Sequence, residues 1–331
     1  YDATGVTMKL FDNEVAGAGG ACVVGESTCC SQSDVEDARQ VAFGLGLEHF
    51  TFNFTGTFGC EVIDRFCDAY LHGRTPNPCI DCNRYLKFAA LQRRRAQLGF
   101  DYVATGHYAR RAFNERTGRF ELRRGLDEAK DQSYVLYHLT QDDLAHMLFP
   151  LGELTKPQVR ELAEKHSFGN AHKAESQDIC FVPDGDYASF IARYMGFGGD
   201  AARGDGKERA VPAAFEPGNI VDVSGKVLGR HTGLVHYTIG QRKGIGVAAP
   251  EPLYVVGKDA GKNVLVVGPR SELGVREVRA GDVNLISVAE LDKPMRVTAK
   301  THYRQRAQAA EAVMEGDQLV VRFDEAVARP A

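Results

Sequence analysis

The chain has 331 residues, 44% hydrophobic and 25% charged, which suits two or three folded domains with room for a sizeable core. A net charge of −4 excludes a protein that is strongly basic overall, and no apolar run approaches the ~18–20 residues of a membrane span. Eight cysteines (22, 29, 30, 60, 67, 79, 82 and 180) show no disulfide-framework spacing and no secretory signal accompanies them, so a cytoplasmic location is expected, with thiols that are buried, catalytic or metal-binding.

In chain order, Thr4–Leu10 reads as a strand end and 12–30 as a long loop. Ser33 and Glu36 form a capping box before a helix whose face carries Val35, Ala38, Val41, Ala42 and Leu45, and Gly46 can end it. His49–Phe54 alternates as a strand, Val62, Ile63, Phe66 and Tyr70 mark a second helix, and a third runs from about Asn83 to Leu98. Tyr102–Thr105 is a short buried strand, and a hairpin spans Phe113 to Arg124. Alternating strands and helices mean a parallel sheet covered on both faces. After about residue 183 the character changes. A polar, Gly-rich stretch at 198–209 precedes short β-like runs at Asn219–Val223, Tyr254–Gly257, Val264–Val267, Arg296–Thr301 and Leu319–Phe323. These read as one or two small β-rich modules. Two basic runs stand out: 293–306, with Lys293, Arg296, Lys300, Arg304 and Arg306 and no acid, and 221–243, with Lys226, Arg230, Arg242 and Lys243 against Asp222. Taken alone, such runs are solvated faces.

The segment richest in chemistry is Arg74-Thr-Pro-Asn-Pro-Cys-Ile-Asp-Cys-Asn83. Pro76 and Pro78 disfavour helix at Thr75 and Asn77, so a stiff extended loop leads to a helix beginning near Cys82 or Asn83. Cys79 and Cys82 then lie at or just before a helix N-terminus, where unpaired amides and the macrodipole favour a thiolate. A nucleophile, a redox pair, half of a metal site and inert packing all fit that spacing. Cys180, between Ile179 and Phe181, fits a small buried hydrophobe or, after the polar run Glu175–Asp178, a site edge. Ala104-Thr-Gly-His-Tyr108 ends a parallel strand, where Gly106 admits a nucleotide and His107 faces the same crevice, or where a tight turn holds a satisfied histidine. In Lys130-Asp-Gln-Ser-Tyr134, Lys130 and Gln132 suit a phosphate, while Asp131 or Ser133 equally suits a helix cap. Tyr303-Arg-Gln305 offers an aromatic, a guanidinium and an amide to an unstacked base, or is an ordinary surface strand.

Taken in order, Gly5–Lys9, Cys29-Cys30, Asp34–Arg39, Gly73–Asn83, Ala104–Arg110, Lys130–Tyr134, Leu151–Pro157, Ser176–Phe181, Tyr237–Gly244 and Tyr303–Gln305 resemble the tRNA 2-thiouridylase family, MnmA or TrmU. The resemblance runs over essentially the whole chain. It implies a PP-loop ATPase-type α/β domain at 1–183, a small central β-rich domain at 184–272 and a C-terminal β-barrel at 273–331. It implies 2-thiolation of the wobble uridine of tRNA, with ATP and Mg2+ adenylating the base and sulfur drawn from a cysteine persulfide. Under it, Cys180 carries the persulfide, supplied by a sulfur-relay protein or cysteine desulfurase. Cys82 is the nucleophile or resolving thiol and can end in a disulfide with Cys180. Met8 and Gly106 would lie at ATP, and Asn77, Pro78 and Cys79 at the target base. His107, Lys130, Asp131, Gln132, Tyr303 and Arg304 would lie at tRNA. The family's Ser-Gly-Gly-Val-Asp-Ser phosphate loop would precede Tyr1, and its Pro-Gly-Gln segment would follow Ala331. Both read as truncated or disordered ends, so this fragment is not expected to turn over ATP. No resident metal and a monomer bound to tRNA complete the expectation. Two rivals remain: an iron–sulfur-dependent thiolase with a cluster on Cys79, Cys82 and Cys180, and a non-catalytic tRNA-binding module built on the basic C-terminal half.

Overall fold

A computed structural model describes residues 1–11, 32–172, 179–197, 210–303 and 305–330. The vicinal Cys29-Cys30 pair, the Glu175–Asp178 run, the 198–209 stretch and Arg304 lie outside the described residues. The chain divides into two compact units. One comprises 1–67, 77–112 and 121–210, and the other 68–76, 113–120 and 211–331.

The first unit is α/β. Strands β1 (Gly5–Lys9) and β2 (His49–Asn53) pair in parallel, Met8 opposite Phe52. The helix Gln32–Gly44 connects them, and it closes as the sequence expects: Leu47 N–H donates to the Ala42 carbonyl and Gly46 N–H to that of Phe43, a Schellman closure. The helical stretch Thr55–Phe58, Gly59–Ile63, Asp64–Leu71 follows without a break, its middle segment a π-helix. It buries Phe58, Val62, Ile63 and Phe66. The third helical stretch begins at Pro78 rather than near Cys82 or Asn83. Pro78 occupies the first turn, where a missing N–H costs nothing, and the extended Asn77 caps it. It continues as a π-helix over Cys82–Ala90 and an α-helix over Leu91–Leu98.

Four short strands complete this part of the chain: β3 (Val103–Ala104), β4 (Ala109–Asn114), β5 (Arg119–Arg124) and β6 (Met147–Leu148). β3 and β6 pair in parallel and β4 and β5 form the expected hairpin. The helix Tyr187–Met195 returns to the core: Phe190 meets Phe66 and Phe181, and the Tyr194 hydroxyl donates to Asp64 at 3.0 Å.

The second unit is β-rich. β7 (Gly218–Asp222), β8 (Val227–His231), β9 (Tyr254–Asp259) and β10 (Val264–Gly268) form a sheet of order β8-β7-β10-β9. Ile220, Leu234, Tyr237, Ile245, Val255, Leu265 and Val267 make its core. β11 (Gly274–Ala280), β12 (Met295–Ala299), β13 (Gln308–Glu315) and β14 (Gln318–Ala328) form an antiparallel sheet of order β11-β14-β13-β12. Its exposed face carries a cross-strand ladder in which Arg279 and Arg322 each bind both Glu277 and Glu315. Among the described residues no helix is long and apolar enough to cross a membrane.

Candidate active site

The Cys79–Cys82 segment is built by local chemistry. Asn77 is extended because Pro78 follows it, and its Oδ1 accepts the Cys79 N–H at 3.1 Å. Pro78 is buried, while Asn77 and Cys79 are exposed. Cys79 therefore presents its side chain on the first turn, among amides with no intrahelical acceptor. Cys82, one turn on, is 8% exposed and opens the π-helix. Single π turns inside helices are frequent at functional sites, and nine residues of π-helix here reset the side-chain spacing immediately after the thiol.

Next to Cys82, Asn83 is 2% exposed and its Oδ1 has no hydrogen-bond partner among the described residues. Asp81 stands between Arg65 and Arg84, yet burial raises its carboxyl above the ordinary aspartate range, outweighing both guanidiniums. Arg65 sits 4.5 Å from the centroid of the Tyr85 ring and Arg84 5.3 Å, so the ring is flanked by two cations. No sequence motif announces this group. Its only sequence signal is helical spacing: Asp81 and Tyr85 are i, i+4, and Arg65 joins them from another helix.

Cys180 is half-buried. Its chain neighbour Phe181 packs edge-on against Phe58 at 5.7 Å and Phe66 at 5.2 Å. Those rings belong to the helical stretch against which the Cys82 helix also packs. The structure thus anchors both thiol segments on one helical layer of the first unit. Among the described residues no three His, Cys, Asp or Glu side chains converge as a metal site, so Cys79, Cys82 and Cys180 do not together form a cluster-binding triad in this conformation.

Gly106 is exposed just beyond the carboxyl end of β3, and Met8 is half-buried in β1. His107 turns inward. It is 8% exposed, between the rings of Phe88 and Phe149, with Nδ1 2.9 Å from the Thr105 hydroxyl. Burial first, then the Lys87 charge, push its pKa from 6.5 down to about 3, so the imidazole is neutral at neutral pH. A depressed histidine pKa contributes stability that is complete above pH 6.5 and lost as the pH falls toward 3. Urea midpoints measured between about pH 7 and about pH 5 should fall, and His107→Gln should flatten that fall. Equal slopes in both proteins would remove His107 as the cause.

The Lys130–Gln132 segment splits in role. The Asp131 carboxylate, 4% exposed, accepts the Gly125 and Ser133 amides and the Ser133 hydroxyl at 3.0–3.2 Å. It folds the turn ahead of the 3-10 helix Ser133–Leu136, whose N-cap position is Gln132 and not Asp131 or Ser133. Gln132 exchanges two hydrogen bonds with the Tyr108 backbone, at 3.1 and 2.9 Å, and so fixes the residue after His107. Lys130 is half-buried and lines a groove with Lys156, Arg160, Asp127, Glu161 and Glu164. In the second unit Tyr303 is exposed on the turn after β12, and the Lys300 ammonium lies 6.0 Å from its ring centroid. Thr301 holds Gln305 beside it through two hydrogen bonds.

Comparison with known proteins agrees with this anatomy. Residues 1–184 match the family model for the tRNA methyl transferase HUP domain, and residues 209–269 that for the tRNA methyl transferase PRC-barrel domain. The chain is 45% identical over 330 residues to the tRNA-specific 2-thiouridylase MnmA of Carboxydothermus hydrogenoformans, covering 98% of this chain and 84% of the relative. It is 42% identical over 327 residues to that of Clostridioides difficile, with the same two coverages. It is also 42% identical over 326 residues to the tRNA-specific 2-thiouridylase MnmA 2 of Thermoanaerobacter sp. strain X514, again with 98% and 84% coverage. With a HUP domain over more than half its length and relatives of this identity over 98% of the chain, the chain belongs to the MnmA family of tRNA-specific 2-thiouridylases.

Proposed function

We propose that this chain is the sulfurtransferase that converts the 2-oxygen of a tRNA uridine to sulfur, at the wobble position, consuming ATP. Family membership over 98% of the chain carries the reading. The HUP domain supports ATP use, and Met8 and Gly106 are its proposed contacts here. Mg2+ would accompany the triphosphate as ATP–Mg.

The chemistry needs an activated oxygen, because a uracil 2-oxygen is a poor leaving group. The oxygen attacks the α-phosphorus of ATP, pyrophosphate leaves, and the base carries an adenylyl ester. A donor protein, a sulfur relay or cysteine desulfurase, loads Cys180 with a persulfide. The terminal sulfur attacks C2 and AMP departs with the former 2-oxygen. The Cys82 thiolate then attacks the Cys180 sulfur, freeing the 2-thiouridine and leaving a Cys82–Cys180 disulfide, which a thiol reductant reopens. Asn77, Pro78 and Cys79 are the proposed contacts of the target base: a rigid, partly exposed edge beside the thiol. Lys130, Gln132, Tyr303 and Arg304 are proposed at tRNA. Asp131 and His107 serve the same surface by holding its backbone, since His107 is neutral and cannot pair with phosphate as a cation.

The test is single-turnover thiolation by the full-length protein of unmodified tRNA, with ATP–Mg and a persulfide-loaded cysteine desulfurase or sulfur-relay protein as donor, read as 2-thiouridine by mass spectrometry. Product that requires ATP is expected. Folded protein that binds tRNA yet forms none would overturn the reading and leave a binding module.

A further inference from the structure

The turn at 238–246 of the β8-β7-β10-β9 sheet has no role in the thiol chemistry, yet it is built to hold two cations in one place. Gly240, Gly244 and Gly246 all have φ between +77 and +87, a conformation that side-chain-bearing residues rarely adopt. The turn is tied to the sheet through its first half. Gly240 N–H donates to Val255 at 2.8 Å, and Val255 N–H donates back to Gln241 at 2.9 Å. The Gln241 side chain stitches it internally, accepting the Thr238 N–H at 3.0 Å and donating to the Lys243 carbonyl at 2.9 Å. Tyr237 and Ile245, on either side of the tip, are buried in the sheet's core. The half-buried Lys258 ammonium donates to the Tyr237 carbonyl at 2.7 Å.

What this scaffold presents is Arg242 and Lys243, both exposed. Neither side chain makes a hydrogen bond or ion pair with any described residue, whereas Arg279, Arg296 and Arg322 of the neighbouring sheet are all paired. Residues 226–250 contain Lys226, Arg230, Arg242 and Lys243 and no acid. The acid just before them, Asp222, is folded into its own turn, accepting from Ser224 and the Lys226 amide. The stretch is therefore positive within a chain of net charge −4, and such local fields steer polyanions whatever the total. A protein partner is disfavoured. The large apolar side chains exposed on this sheet are Val223 and Val227, too little area for the aromatic, desolvated hot spot that anchors protein interfaces. A phosphate backbone needs no such anchor.

We infer that the 238–246 turn is a tRNA-gripping element, with Arg242 and Lys243 each neutralising a backbone phosphate. The inference rests on tRNA being the substrate. It is tested by measuring tRNA affinity of the full-length protein and of Arg242→Ala/Lys243→Ala across a salt series. Two lost phosphate contacts should make the slope of log K against log salt shallower by about 1.8 and weaken binding about tenfold near physiological salt. Lys262→Ala removes a charge from the same sheet that is already paired with Asp259, and should leave the slope unchanged. Arg242→Lys/Lys243→Arg keeps both charges and should restore it. A double-alanine protein with an unaltered unfolding midpoint and an unaltered salt slope overturns the inference while the thiolation reading stands. A parent protein that binds no tRNA overturns both. A double variant that keeps its tRNA slope but loses sulfur supply from the donor protein would make the turn a protein-docking site, and the inference would fall.

Discussion

Replacing Cys82 or Cys180 by serine is expected to lower single-turnover thiolation at least about a thousandfold, on the scale seen when a covalent nucleophile is removed. Affinity for tRNA should stay within about twofold, since binding is dominated by backbone phosphates and neither thiol is cationic. The two variants should then part company. Cys180→Ser cannot carry the transferable sulfur, so its mass should not rise by one sulfur atom on incubation with the donor. Cys82→Ser still loads Cys180 and still lets the persulfide attack the adenylated base. With no thiolate to release it, the base should remain joined to Cys180 through a disulfide, a tRNA–protein adduct that a thiol reductant cleaves. Loss of activity without that adduct would give Cys82 the alternative task of releasing hydrosulfide from the persulfide. Cys82 is 8% exposed and serine adds a buried hydroxyl, so its unfolding midpoint must be measured alongside. Cys79→Ser is the internal comparison. Cys79 is exposed and one turn away, and a loss equal to that of Cys82→Ser would move the chemistry to Cys79. Full thiolation by Cys82→Ser or Cys180→Ser would end the thiol-pair mechanism.

The legible parts of this molecule were those set by local chemistry. The alternation at His49–Phe54 gave β2, and the apolar run at Val264–Val267 gave β10, because those residues fit a pleated, half-buried surface wherever they are placed. The Pro-Asn-Pro loop did announce a helix with cysteines in its first turn. The helix starts earlier than expected because Pro78, which disfavours helix at its predecessor, is itself the first residue of the helix, capped by Asn77. What the sequence hid was decided at a distance. β11 (Gly-Val-Arg-Glu-Val-Arg-Ala) and β13 (Gln-Ala-Ala-Glu-Ala-Val-Met-Glu) carry charged and helix-favouring residues, and become strands because pairing with β14 packs Val275, Val278 and Ala310 against Phe323 and Val327. The two π-helices have ordinary helical composition, so their wider turn reflects packing and leaves no local mark. His107 reads as a crevice residue at the end of a strand, yet it is turned inward by the rings of Phe88 and Phe149, neither of which is near it in sequence.

A glycine far from the thiols provides the largest expected effect on stability. Gly152 of the Leu151-Gly-Glu-Leu-Thr-Lys-Pro157 segment packs directly onto the chain that opens β4. A Cβ at Gly152 would stand 1.9 Å from the Ala109 carbonyl oxygen, 2.8 Å from its carbon and 2.8 Å from Arg110 Cγ. Only the last of these is a side chain that could swing away. The Gly152 carbonyl also accepts the Leu126 N–H at 2.8 Å and its own N–H donates to Phe149 at 3.0 Å, so the loop cannot slide outward without breaking both. On the other side Gly125 also meets backbone, its Cβ position 2.8 Å from the Tyr108 carbonyl oxygen. The two glycines clamp 108–110, the same backbone that Gln132 fixes and that places His107. Gly152→Ala should therefore cost about 4 kcal/mol, in the range reserved for overpacking against backbone, and lower the unfolding midpoint by about 10 °C. Gly99→Ala is the comparison that isolates the mechanism. Gly99 closes its helix at φ +77 with nothing within 4 Å of a Cβ, so only conformational strain of about 1 kcal/mol applies. Similar midpoints for the two variants, read by calorimetry, would show that backbone contact at Gly152 contributes nothing. A much lower midpoint for Gly152→Ala would establish that the approach of 152 to 109 holds the segment between β3 and β4 in place, and with it the loop that carries Gly106, the proposed ATP contact, and His107.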